Sequence, residues 1–110
     1  MTKVLLALSV FGPALIAALG VPLALGKVPP NGTYGYRTAR SLGSPETWYQ
    51  MNRVAGLTMI WAGLAALATA CLVWLLLDVS PEAKVGLSTA ALAAAAAAIV
   101  VVPFFLGPRP

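Results

Sequence analysis

The sequence predicts an all-α integral membrane protein: three transmembrane helices, a structured cytoplasmic loop between the first two, and a short interfacial helix extension leading into the second. Two observations carry that expectation. Of 110 residues, 60% are hydrophobic and 9% are charged, against roughly 25% charged in soluble chains, and a chain this small has no core large enough to hide so much apolar surface. The apolar residues also fall in continuous uncharged runs: Val4–Gly26 between Lys3 and Lys27, Val54–Leu77 between Arg53 and Asp78, and Val85–Pro108 between Lys84 and Arg109. Each exceeds the roughly 20 residues that a helix needs to cross a hydrocarbon core about 30 Å thick. A single domain over 1–110 follows, with membrane helices at 4–26, 54–77 and 83–106 and a polar loop at 27–53.

The first run begins with a short basic segment, as a secretory signal does. Its apolar part is longer than the roughly 7–15 residues of a signal core and no Ala-x-Ala site ends it, so a retained helix is expected. Within it, Pro13 and Pro22 carry no N–H and should free the carbonyls of Ser9 and Ala18, bending the helix. No ionisable residue accompanies these prolines, which argues for packing rather than a transport pathway.

Ser44-Pro45-Glu46 has the chemistry of a helix start: a serine N-cap, proline at the first helical position, and an acid in the positive first turn. From there Glu46, Tyr49, Gln50 and Arg53 form one polar stripe, while Trp48, Met51, Asn52 and Ala55 share a second face. An unbroken helix from Pro45 to Leu77 would be about 50 Å long, so its first turns should protrude or lie along the interface, with Gly56 as the expected flexing point. Ala62, Ala66 and Ala70 make a small-residue ridge suited to close packing, within one subunit or between subunits of a homo-oligomer. Ser80-Pro81-Glu82 repeats the start chemistry and opens the third helix after a turn short enough to make an antiparallel hairpin. That helix is almost all alanine from Ala90 to Ala98, a smooth surface interrupted by Pro103 and followed by Phe104 and Phe105.

Lys27, Arg37, Arg40 and Arg53, with Arg109, lie on one side of the three spans, and Lys3 and Lys84 on the other. The excess predicts a loop and C-terminus in the bacterial cytoplasm and an external N-terminus. Cys71 is alone, so no internal disulfide is available. The chain has no histidine and only three acids, which leaves no nucleophile–base pair and no metal-ligand cluster. Neither a cofactor nor enzymatic activity is expected. The modest positive excess suits anionic headgroups of the lipid bilayer rather than nucleic acid.

The remaining chemistry is concentrated between Pro30 and Arg53, which hold all three tyrosines and both asparagines of the chain. Pro29-Pro30, Asn31, Gly32 and Gly35 read as a tight turn. Tyr34, Tyr36, Trp48 and Tyr49 are rings of the kind found at headgroup level. Taken together, Asn31, Gly35-Tyr36-Arg37-Thr38, Ser41, Trp48 and Asn52-Arg53 resemble the signature of the SdpI family of small bacterial membrane proteins: an N-x-x-x-G-Y/F-R-T-x-x-S segment, then a tryptophan, then an asparagine four residues later. The resemblance is close over Pro29–Gly56 and rests on hydropathy alone in the flanking helices. It implies immunity to a secreted, membrane-active peptide toxin, together with binding of a cytoplasmic regulator.

Two roles for the loop residues follow. In the structural one, Arg37 and Arg53 join Glu46, Asn31 and Asn52 in a hydrogen-bonded cluster that pins the loop to the helix ends. In the other, Asn31, Gly35, Tyr36, Arg37, Thr38, Ser41, Glu46, Trp48, Asn52 and Arg53 bind a peptide, a lipid headgroup or a protein directly. The alternative to an immunity protein is an accessory subunit of a larger membrane complex, docking through the alanine-rich faces.

Overall fold

The computed structural model describes residues 2–107; Arg109, counted above for orientation, lies outside them. Three helices account for most of the described chain: α1 (Thr2–Ala24), α2 (Pro45–Leu76) and α3 (Pro81–Leu106). Each is long and apolar enough to cross a membrane. They pack into a rod measuring 50 × 22 × 19 Å, with α2 in the centre, packed extensively against both neighbours, while α1 and α3 touch sparingly. The large residues turned outward, among them Phe11, Leu15, Trp61, Leu72, Leu75, Phe104 and Phe105, form the jacket that a helix bundle presents to lipid tails.

The helix starts follow the sequence reading. Ser44 Oγ accepts the Thr47 N–H at 3.1 Å, and Ser80 Oγ accepts the Ala83 N–H at 3.2 Å, each with proline next in the helix. The helix ends use three different devices. After α1, Gly26 adopts φ 70°, and the N–H groups of Gly26 and Lys27 return to the carbonyls of Leu23 and Pro22, a Schellman turn that needs the left-handed glycine. At the end of α2, the Lys84 ammonium donates to the Trp74 carbonyl at 3.4 Å and lies 5.6 Å from the centre of the Trp74 ring. The end of α3 is closed by the loop, as described below.

Gly56 is not a hinge. Helix α2 runs unbroken from Pro45 to Leu76, and Gly56 is buried where α2 crosses α1. A Cβ on Gly56 would fall 2.5 Å from the Gly20 carbonyl, and one on Gly20 would fall 2.5 Å from the Gly56 carbonyl. One helical segment further on, a Cβ on Gly63 would meet Pro13 O and Ala17 N, both at 2.8 Å. Without a hydrophobic drive inside a bilayer, backbone approach of this kind is what holds helices together. Pro13 is fully buried in that contact and α1 continues through both prolines. Ala66 and Ala70 of the alanine ridge are buried and Ala62 is half-buried; Ala62 and Ala66 face Ala91, Ala94, Ala95 and Ala98 across a shallow groove between α2 and α3. Ala66 and Ala70 therefore pack within the chain, and Ala62 borders the groove. Three hydroxyls in the spans are met locally: Ser9, Thr58 and Thr69 donate to the carbonyls four residues earlier at 2.8–2.9 Å, which keeps them paired in an apolar medium, whereas the buried Ser88 hydroxyl of α3 has no partner among the described residues.

Candidate functional site

The segment between α1 and α2 is folded by its own side chains, and the first centre is Asn31. Its Oδ1 accepts the N–H groups of Thr33 at 2.9 Å and Tyr34 at 2.7 Å, while its amide donates to the carbonyls of Pro29 and Tyr34, both at 2.8 Å. Four backbone groups of the turn are thus met by one side chain. Gly32 lies in this turn without adopting a positive φ.

The second centre is Asn52 on α2, 2% exposed. Its Oδ1 accepts the Tyr36 N–H at 2.6 Å, and its amide donates to the Tyr36 carbonyl at 3.3 Å and the Trp48 carbonyl at 3.0 Å. The side chain therefore docks the loop on α2 by pairing both backbone groups of one residue. Gly35 makes this approach feasible. It sits at φ 124°, a region costly for residues with a Cβ, and an added Cβ would meet Asn52 Oδ1 at 2.8 Å and the Trp48 ring at 2.9 Å. Trp48 is fully buried beneath it, with Nε1 donating to the Val28 carbonyl at 2.8 Å. The face predicted from helical spacing, Trp48, Met51, Asn52 and Ala55, is the buried face.

Thr38 and Ser41 close the far end of the loop reciprocally. The Thr38 N–H donates to Ser41 Oγ at 2.8 Å, the Ser41 N–H donates to Thr38 Oγ1 at 3.0 Å, and a single 3₁₀ turn, Ser41–Gly43, leads into the Ser44 cap. Two tyrosines tie the loop to the other helices: the Tyr34 hydroxyl donates to the Leu19 carbonyl on α1, and the Tyr36 hydroxyl donates to the Val100 carbonyl on α3 at 2.8 Å. Burial pushes the Tyr34 phenol pKa up from its usual value. Of the four rings expected at headgroup level, Trp48 is buried, Tyr34 and Tyr36 are half-buried and hydrogen-bonded to the helices, and Tyr49 is on the surface.

The polar cluster of Arg37, Arg53, Glu46, Asn31 and Asn52 does not form. Arg37 is exposed and donates from Nε to the Asn31 carbonyl at 3.0 Å. Glu46 is exposed and accepts from Gln50 Nε2 at 3.4 Å. Arg53 is exposed and makes no side-chain hydrogen bond among the described residues. The pinning residue is Arg40, which sequence reasoning left out of the site. Its Nη2 donates to the carbonyls of Pro103 at 3.1 Å and Phe104 at 2.8 Å; the first also accepts the Gly107 N–H at 2.8 Å, and the second is one of the acceptors that the end of a helix leaves without an intrahelical partner. Its guanidinium carbon lies 5.3 Å from the centre of the Phe104 ring, and Nε points at Met51 Sδ at 3.5 Å. The only local hint was a helix ending in Phe104-Phe105 that needed a cation at its negative end; which arginine would serve depends on the path of the loop.

Two groups of residues result. Asn31, Gly35, Tyr36, Thr38, Ser41, Trp48 and Asn52 are spent on each other and on the backbone. Arg37, Glu46 and Arg53 stand outside this network with donors or acceptors directed to the surroundings. No group of three or more metal-ligating side chains occurs among the described residues, and the platform holds no paired nucleophile and base.

Comparison with known proteins returns no matching curated protein and no matching solved structure. A family model described as the SdpI/YfhL protein family matches residues 27–107, a span that starts at the Schellman turn and takes in the Asn31 and Asn52 centres, α2 and α3. With that match over most of its length, and with three helices able to span a bilayer, the chain is a multi-pass membrane protein belonging to the SdpI/YfhL family.

Proposed function

We propose that this protein is an SdpI-type interaction protein of the bacterial cytoplasmic membrane, protecting the cell against a membrane-active peptide toxin and docking a cytoplasmic regulator on the loop around 30–53. The observation that supports it is the division of labour in the loop. Seven of the motif residues build a rigid platform, and Arg37 projects from it with its terminal amines unused among the described residues. A rigid platform costs little ordering entropy on binding, which favours recognition by a single exposed guanidinium. The charge excess supports a cytoplasmic loop and C-terminus with the N-terminus outside.

The alanine-floored groove between α2 and α3 favours a second reading, an accessory subunit that seats a helix of a larger complex. A deletion strain separates the two. When challenged with culture supernatant of its parent, in which secreted peptides accumulate, it should lose membrane potential and viability. Wild-type complementation should restore both, and Arg37→Ala, expressed at equal level, should not. A deletion strain as resistant as its parent removes the protective reading; equal rescue by Arg37→Ala removes the role given to the platform.

A further inference from the structure

We propose that Arg53, Tyr49 and Gln50 form a binding site for a phosphate group at the point where α1 ends against α2. The three side chains line a shallow cavity of about 400 Å³ together with Ala24, Leu25 and Gly26. Arg53 immediately precedes the uncharged run of α2 and Ala24 is the last residue of α1, so the cavity floor lies at the hydrocarbon boundary and its mouth at headgroup depth.

The case rests on a cation without a counter-charge. Arg40 is satisfied by the end of α3 and Arg37 has a carbonyl on Nε, whereas Arg53 has no partner among the described residues. The chain contains only three acids. Asp78 and Glu82 lie at the opposite end of α2, in the turn and in the first turn of α3, and Glu46, about two helical turns before Arg53, accepts from Gln50 and forms no ion pair with Arg53 among the described residues. The adjacent end of α1 offers little in compensation, since the Schellman turn already occupies the carbonyls of Pro22 and Leu23. An open arginine fork, a tyrosine hydroxyl and an amide with a spare N–H in the lining of one cavity supply a set of donors that phosphate oxygens can match. Ala24 and Leu25 give the apolar wall against which a lipid glycerol and the first acyl carbons would rest. A lipid headgroup and free phosphate share this chemistry.

The site does not depend on the protective role proposed above and is tested on the purified full chain in a neutral maltoside detergent. Three probes are titrated while thermal stability and bound lipid are followed, the latter by native mass spectrometry: dioleoylphosphatidylglycerol, dioleoylglycerol and inorganic phosphate. Phosphatidylglycerol should bind and raise the melting temperature. Dioleoylglycerol, with the same tails and no phosphate, should not. Arg53→Gln and Arg53→Ala should each weaken phosphatidylglycerol binding at least about tenfold, with Arg53→Lys intermediate and Arg37→Gln unchanged. If millimolar inorganic phosphate displaces the lipid and stabilises the protein to the same extent, the ligand is a free phosphate; if it does neither, the ligand is the lipid. Binding of dioleoylglycerol as tight as that of phosphatidylglycerol, or an Arg53→Gln variant that binds like wild type, would overturn the proposal.

Discussion

Replacing Asn52 by alanine removes the anchor between the loop and α2, and the cost can be worked out bond by bond. The change deletes the acceptor of the Tyr36 N–H at 2.6 Å and the donor to the Trp48 and Tyr36 carbonyls at 3.0 and 3.3 Å. A net hydrogen bond is worth about 0.5–1.5 kcal/mol, and a buried donor left unpaired costs about 1–3 kcal/mol. Counting the stranded Tyr36 N–H and one good lost bond gives about 2–4 kcal/mol. The helices keep their own contacts, so the cost falls on local opening of the loop rather than on the spans. Trypsin cleavage after Arg40 reads that opening directly, because Arg40 is held against α3 in the closed form. When reclosing is fast relative to cleavage, the rate follows the open population, and about 2–4 kcal/mol corresponds to an acceleration of about 30- to 800-fold. The measurement is a time course under limiting trypsin in detergent, with Asn52→Ala and wild type in parallel. Cleavage within about threefold of wild type would refute the claim that Asn52 holds the loop.

Two further outcomes follow from the packing. Arg40→Ala should expose the end of α3 and lower stability by about 1–3 kcal/mol, read as a lower melting temperature in detergent, while Arg40→Lys should recover part of it because an ammonium keeps the charge and loses the fork. Gly56→Ala should separate α1 from α2 and cost about 1–3 kcal/mol through overpacking; a cross-link between cysteines placed on the two helices near Gly20 should then form more slowly. A flexible Gly56 would instead predict stabilisation by alanine.

The spans were legible because a membrane helix is written in consecutive residues: three uncharged runs suffice. Both N-caps were legible for the same reason, since Ser, Pro and Glu act within one turn. The buried face Trp48-Met51-Asn52-Ala55 followed from helical spacing alone. What depended on chain path was not legible. Arg40 and the Phe104 carbonyl are 64 positions apart, and nothing local distinguishes Arg40 from Arg37 or Arg53 as the residue that reaches α3. Gly56 could be read as flexible or as a site of close approach, and only the neighbouring backbone of α1 decides between them. Gly26 passed unnoticed beside the glycines of the motif, although it is the one that ends α1.

The contacts of Tyr36 and Arg40 with Val100, Pro103 and Phe104 also impose an order on biogenesis. The loop is synthesised before α2 and α3, yet two of its anchors have no partner until the second hairpin helix has entered the bilayer. A nascent chain therefore carries the loop in an unlatched form throughout insertion. Latching then reports that the last helix has arrived, so a protease that patrols the loop side of the membrane can distinguish a finished molecule from one stalled with α3 outside.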